Sequence, residues 1–137
     1  MMLSWNDAEN TLDCLQSVYQ LDYACYHVLV VDNGSSEETV RAIHAAFPQV
    51  ELIVNPDNLG FGGGANVGFD RALEHGAAYV LFINNDTIVE PDLLKALVRS
   101  AEAFPRAGLL VPKIYYDSGV SRGEHPRVWS SGARWAP

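Results

Sequence analysis

His27-Val28-Leu29-Val30-Val31-Asp32-Asn33-Gly34-Ser35 decides the fold of this chain. Val28 to Val31 is an unbroken, β-branched-rich apolar run, which reads as a buried strand beginning at His27. Asp32-Asn33-Gly34 closes it in a turn. Ser35 and Glu38 stand at capping-box spacing, so a helix is expected from Ser35 to Phe47. Val40, Ile43, His44 and Phe47 share one of its faces. A buried strand running straight into an amphipathic helix is the repeating half of a βαβ unit, because a parallel neighbour is reached only by a crossover.

The same rhythm continues in both directions. Upstream, Asp7 to Gln20 reads as a helix with Leu12, Leu15, Val18 and Tyr19 inward, and Met1 to Ser4 as the end of a short strand. Downstream, Val50 to Val54 is a second short strand, and Asn55 to Gly64 is a loop rich in Asn, Gly and Pro. Ala65 to His75 is a helix with Ala65, Phe69, Ala72 and Leu73 on one face, and Gly76 stands where it stops. Ala78 to Ile83 is the clearest buried strand. Pro91 opens a further helix with Leu93, Leu94, Leu97, Val98, Ala101 and Phe104 inward, and Gly108 to Val111 is one more strand. The strands end at Ser4, Asp32, Val54, Asn84 and Val111, which predicts a mainly parallel sheet with helices on both faces. Beyond Pro112 the pattern dissolves, apart from a short strand at Val128 to Ser130.

Composition narrows the partners. The chain has 137 residues, 48% of them hydrophobic and 19% charged, which suits one soluble globular domain. Asp and Glu number 17 against 9 Lys and Arg, a net charge of −8. Nucleic acid and anionic membrane surfaces are poor partners for such a surface. An anionic small ligand would need backbone amides or a metal ion to hold it. The longest apolar run, Tyr79 to Ile83, is far short of the roughly 20 residues a membrane span needs. Met1 to Asn6 has no signal-peptide character. Cys14 and Cys25 show neither CxxC nor zinc spacing, so both are expected to be structural thiols in a reducing cytoplasm. His27, His44, His75 and His125 share no motif and are expected to be structural or surface residues, ligands to nothing.

Three strand ends carry polar clusters: Ser4-Trp5-Asn6, Asp32-Asn33-Gly34-Ser35 and Asn84-Asn85-Asp86-Thr87. Ligands of open parallel sheets bind outside the carboxyl ends of the strands, where the strand order reverses. One polar end is ordinary turn chemistry; three in one sheet mark a site. A single carboxylate flanked by amide oxygens, as at Asp86, suits a hard divalent cation that keeps most of its waters and takes further ligands from a diphosphate. Gly60, Gly62 and Ala65 fit G-x-G-x-x-G/A, but a long Asn/Pro segment separates them from the strand and no acidic residue follows at the required distance. The broader reading is a glycine-rich helix start able to approach a phosphate or ribose closely.

Taken together, these motifs resemble the family-2 glycosyltransferases of the GT-A fold, in their rhamnosyltransferase-like branch of bacterial polysaccharide synthesis. Leu3-Ser4-Trp5-Asn6, Val30-Val31-Asp32-Asn33-Gly34-Ser35, the run Asn55-Pro56-Asp57-Asn58-Leu59-Gly60-Phe61-Gly62-Gly63-Gly64-Ala65-Asn66-Val67-Gly68, Leu81-Phe82-Ile83-Asn84-Asn85-Asp86-Thr87 and Pro91-Asp92-Leu93-Leu94 carry the resemblance. It implies a Rossmann-like α/β sheet whose order begins 3-2-1-4. It implies that Leu3, Ser4, Asp32 and Asn33 hold the nucleotide base and ribose, and that Asn58, Gly60 and Asn66 line the same pocket. Asn84, Asn85 and Asp86 occupy the place of the family's D-x-D motif, with Asp86 the ligand to Mg²⁺ or Mn²⁺. The implied reaction is inverting transfer of a sugar from a UDP-, dTDP- or GDP-sugar to a hydroxyl of a saccharide or lipid-linked saccharide.

By the same resemblance, residues 1–112 are the donor-binding domain and 113–137 an irregular tail toward an acceptor half. The catalytic base is expected beyond Pro137, and the first strand looks trimmed. Such a chain is expected in the cytoplasm, at most peripheral to the inner membrane face, and prone to homo-oligomerise. Val111, Ile114, Tyr115, Tyr116, Trp129 and Trp135 are the candidates to line its uncovered surface. A nucleotide-sugar-binding or scaffold protein without catalysis is the alternative, and a dinucleotide-dependent enzyme a more distant one.

Overall fold

The computed structural model describes residues 1–115 and the strand 128–130. It divides into two compact units, Met1–Pro91 and Asp92–Pro137. In the first, the elements run β1 (Met2–Ser4), α1 (Ala8–Val18), β2 (Leu29–Asp32), α2 (Glu37–Ala46), β3 (Glu51–Val54), α3 (Gly60–Glu74) and β4 (Ile83–Asn84). The strands form one parallel sheet in the order β3-β2-β1-β4. This is the expected 3-2-1-4 order. In the second unit, α4 (Leu93–Ala103) precedes an antiparallel pair, β5 (Ile114–Tyr115) and β6 (Val128–Ser130).

Side-chain alternation along β1 shows where the helices lie. Ser4 Oγ meets Thr11 Oγ1 of α1 at 2.9 Å. On the opposite face, Leu3 and its register partner Val31 lie against Gly64 and Gly68 of α3. So α1 covers one face and α3 the other, as expected. α2 packs with α1, and Tyr19 stacks on Phe47 at 5.4 Å where the two helices end. The core is Met2, Cys14, Leu15, Val30, Val31 and Ile43, each at most 1% exposed.

Several local expectations are corrected. The cap of α2 is Ser36, whose Oγ accepts from Thr39 N; the Ser35 amide instead donates to Asp32 Oδ2. α3 starts at Gly60, so Gly62, Gly63 and Gly64 are helical rather than loop. Its buried face is Gly64, Ala65 and Gly68, while Leu73 is 68% exposed. The face moved because the sheet approaches so closely that only small residues fit beneath the helix. A Cβ on Gly64 would stand 2.5 Å from Leu3 Cδ1 and 3.0 Å from Asn33 Oδ1. In α1 the buried set includes Thr11, Cys14 and Ser17, and Leu12 and Tyr19 are only half-buried.

His27 lies just before β2. The expected strand Ala78–Ile83 shrinks to Ile83–Asn84, and Tyr79 is 60% exposed. The ladder with β1 registers only Ile83 and Asn84, against Met2 and Leu3, while Leu81 O accepts from the Met1 amino group at 2.7 Å. Residues 108–111 form no strand; the ladder comes later, at Ile114–Tyr115. The expected apolar face of α4 has no buried residue: Leu93, Leu94, Leu97, Val98 and Ala101 are half-buried and Phe104 is exposed. Val111, Ile114 and Tyr115 are exposed, as expected. Tyr116 and Trp135, and the side chain of Trp129, lie outside the described residues.

Candidate functional site

β1, β2 and β3 progress one way across the sheet, and β4 lies on the other side of β1. The order therefore reverses between β1 and β4, and a crevice opens at their carboxyl ends. A cavity of about 420 Å³ fills this place, lined by Leu3, Ser4, Trp5, Asp7, Asn33, Asn58, Gly60, Phe61, Asn84, Asn85 and Asp86.

Four segments supply that wall, and each is held by polar contacts. After β1, Asn6 adopts a left-handed backbone (φ 50°). Its amide donates to Ser35 Oγ at 2.8 Å, and its Oδ1 accepts from Ser36 N at 2.9 Å. These reciprocal bonds tie the end of β1 to the turn after β2. Asp7 caps α1 and lines the cavity. Asn85 Nδ2 donates to Thr11 Oγ1 at 3.1 Å and to Asp7 Oδ2 at 3.3 Å, which fixes the end of β4 to the start of α1.

Asn33 is the centre of the second cluster. It is 2% exposed. Its Oδ1 accepts from Asn55 Nδ2 at 3.1 Å and Leu59 N at 3.2 Å. Its Nδ2 donates to Asn58 Oδ1 at 2.8 Å and Gly60 O at 3.2 Å. An amide has two donor and two acceptor positions, and here the protein takes all four. Asn33 thus shapes the wall by fixing the loop from Asn55 to Gly60. Gly34 makes this possible: at φ +78° its backbone runs so close to Asp57 and Asn58 that a Cβ would stand 2.6 Å from Asp57 C.

Among the expected site residues, Leu3, Ser4, Asn33, Asn58, Gly60, Asn84, Asn85 and Asp86 come together on this wall. Asp32 and Asn66 are not among the residues lining it. Asp32 is fully buried beneath; its Oδ2 accepts from Ser35 N, and its Oδ1 has no hydrogen-bond partner. Asn66 is exposed on α3. Trp5 and Phe61, present in the strand-end cluster and the glycine-rich run but given no role there, also line the wall, as does Asp7, which was legible only as a helix start.

The electrostatics are one-sided. Asp7 and Asp86 are the charged residues of the wall, with no Lys, Arg or His among the lining residues. An anionic ligand entering here needs a cation between itself and these carboxylates. Gly60 and Phe61 bring the start of α3 to the cavity; its cap residue Leu59 makes no side-chain cap bond, but the Gly60 amide already donates to Asn58 Oδ1 at 2.8 Å. The positive end of the helix dipole there favours negative charge. Cys14 lies near the cavity floor, its Sγ 3.7 Å from Asn84 O. Burial pushes its thiol up to about 11, which makes it a packing residue rather than a nucleophile.

The family model for glycosyl transferase family 2 matches residues 1–135. The chain belongs to that family. An N-acetylglucosaminyl-diphospho-decaprenol L-rhamnosyltransferase from Mycobacterium tuberculosis is 33% identical over 95 residues, spanning 64% of this chain and 31% of its own length. A poly-beta-1,6-N-acetyl-D-glucosamine synthase from Staphylococcus epidermidis is 25% identical over 127 residues, spanning 88% of this chain and 29% of its own length. The family-2 chain thus spans less than a third of either relative. Among solved structures, S. aureus TarS 1-349 in complex with UDP superposes with a TM-score of 0.65 at 20% identity, covering 86% of this chain and 38% of that one. That likeness shows a shared GT-A fold. Among the described residues, no helix is long and apolar enough to cross a membrane.

Proposed function

We propose that this chain is the donor-binding part of an inverting glycosyltransferase, with residues 1–112 forming the nucleotide-sugar domain. One observation carries the reading: the ends of β1, β2 and β4 and the start of α3 converge on a single cavity whose charged residues are both carboxylates. A nucleoside diphosphate suits that wall when a divalent cation accompanies it. Asp86, with the amide oxygen of Asn84 beside it, fits a hard ion such as Mg²⁺ or Mn²⁺ that retains waters. Bound there, the ion would neutralise charge on the departing diphosphate as a Lewis acid.

The chain's own residues do the rest. Asn33 holds the loop from Asn55 to Gly60 in place as a wall for base and ribose. The start of α3 turns the positive end of its dipole toward the phosphates. Asn85 keeps β4 seated on α1, so that Asp86 projects at a fixed place. We assign acceptor deprotonation to a carboxylate outside this donor half, and the acceptor to a saccharide or lipid-linked saccharide. The dinucleotide alternative, which rests on Gly60, Gly62 and Ala65, has less support, because the loop 55–59 separates Gly60 from the end of β3 at Val54, where the fingerprint must follow its strand directly.

Calorimetry with UDP, dTDP and GDP, each with and without Mn²⁺, tests the reading, with NAD as the control. Metal-dependent binding of at least one nucleotide diphosphate is expected. Asp86→Ala should weaken it about tenfold or more, which is about 1.4 kcal/mol. Metal-independent binding, or NAD binding in preference to all three, would remove the proposal. Hydrolysis of the matching nucleotide sugar then separates a catalytic chain from a purely binding one.

A further inference from the structure

The amino-terminal end of the sheet, opposite the cavity, gathers a second set of side chains. His27 precedes β2, Glu51 opens β3, and His75 caps the carboxyl end of α3. Their ligand atoms lie within 4.8 Å of one another. His27 Nε2 is 2.5 Å from Glu51 Oε2, and His75 Nδ1 faces the same oxygen at 3.8 Å. The second separation is too long for a hydrogen bond. It leaves two imidazoles aimed at one carboxylate oxygen, their ring centres 5.2 Å apart. The other carboxylate oxygen is engaged: Arg71 Nε donates to Glu51 Oε1 at 2.5 Å, and Arg71 in turn meets Glu74 at 3.1 Å.

We propose that His27 Nε2, Glu51 Oε2 and His75 Nδ1 form a site for Zn²⁺ or a similar first-row transition ion. Two imidazoles and one carboxylate are a zinc ligand set, and such a set leaves a fourth position for water. Tetrahedral ligands around zinc are separated by roughly 3.3 Å. The two separations from Glu51 Oε2, 2.5 and 3.8 Å, straddle that value, and all three ligand atoms lie within 4.8 Å of one another, so modest side-chain rotations admit the ion. Arg71 acts from behind as an orienting partner, turning one carboxylate oxygen toward the imidazoles. Burial pushes the Glu51 carboxyl up, but the Arg71 and His27 hydrogen bonds and the Arg71 and His75 charges outweigh it and keep the group ionised. With Glu74 counted, the cluster holds two carboxylates and one guanidinium, a balance that receives a dication. Imidazole ligands favour Zn²⁺, Co²⁺ or Ni²⁺ over Mg²⁺ and Mn²⁺, so this site and the Asp86 site select different ions. They stand at opposite ends of α3, whose 15 residues span about 22 Å.

Co²⁺ titration followed by visible absorption, with Zn²⁺ displacement, tests the site on the chain as it stands. One equivalent of Co²⁺ with ligand-field bands, displaced by Zn²⁺ and untouched by excess Mg²⁺, is expected. His27→Asn and His75→Asn should each weaken it at least tenfold, and Asp86→Ala should leave it unchanged. Both histidines are substantially exposed, with side chains at 57% and 37%, so the variants retain the fold. Zn²⁺ should also raise the Tm of the parent chain and not of either histidine variant. The proposal is overturned if both histidine variants bind as the parent does, if Asp86→Ala abolishes binding, or if millimolar Zn²⁺ leaves the parent's Tm unmoved. Nucleotide titration is read separately, so failure here leaves the donor reading intact and the reverse.

Discussion

Asn33 illustrates how much a single buried amide can organise. Its four hydrogen bonds close a loop that begins 22 residues later in the chain, at Asn55. Asn33→Asp keeps the shape and both acceptors but removes both donors, and it turns an oxygen toward Asn58 Oδ1 and Gly60 O. The expected loss is about 2 to 3 kcal/mol of stability by urea unfolding, because a buried polar group stripped of its partner costs its full desolvation. Nucleotide affinity should fall with it, since the wall is no longer fixed. At the same scale, the two cysteines should behave oppositely. Cys25 is exposed, whereas Cys14 is buried with its thiol pushed up to about 11. A thiol-exchange reagent at neutral pH should label one thiol of the folded chain quickly, and Cys25→Ser should abolish that fast phase. A fast phase surviving in Cys25→Ser would show that α1 opens readily.

The turn between β2 and α2 is where one element dictates another. Gly34 combines a left-handed backbone with a neighbour that leaves no room for a side chain. Gly34→Ala must either strain the turn or push away the loop at Asp57 and Asn58. Strain at such a position costs roughly 1 to 2 kcal/mol before any clash is counted. We expect a total near 2 kcal/mol or more by thermal unfolding, together with weakened nucleotide binding. Parental stability would show that the loop moves freely.

Elements were legible where local chemistry decided them: the buried run Val28–Val31, the helix start at Asp7, and the strand at Val128–Ser130 all stand as read. They were misread where a neighbour decided. Gly64 looks like loop until the closeness of Leu3 and Asn33 is known, which leaves no room for a Cβ in the helix packed there. Residues 78–82 have strand composition but lie outside the β1 register, where Leu81 O meets the Met1 amino group, so composition alone did not make them a ladder. Eight of the ten expected site residues line the cavity because strand ends in a parallel sheet are forced together. The His27–Glu51–His75 cluster was invisible, because its members lie 24 residues apart in a chain whose crossovers happen to return to one edge.

Among the described residues, several large apolar side chains stand open to solvent. Phe61, Leu73, Tyr79, Ile88, Phe104 and Leu109 are all at least 60% exposed. Such surface favours association. Light scattering should therefore show an apparent mass that rises with concentration, and more steeply as sulfate is added to strengthen apolar burial. A constant monomer mass up to millimolar concentration would refute this.

The strand order also sets a schedule for synthesis. β1 sits between β2 and β4, so one of its edges is satisfied early and the other late. The segments up to Val54 supply β2 and β3, but β4 ends at Asn84, 30 residues further on. On a ribosome adding 5 to 20 residues per second, the open edge of β1 therefore waits roughly 2 to 6 s for its partner. During that interval the nascent chain presents an unpaired parallel edge, the very surface that chaperones and misassembled neighbours bind. Stalled nascent chains released from the exit tunnel at residue 54 should be protease-sensitive across Met1 to Asn6, and those carrying residues to Pro91 should be protected.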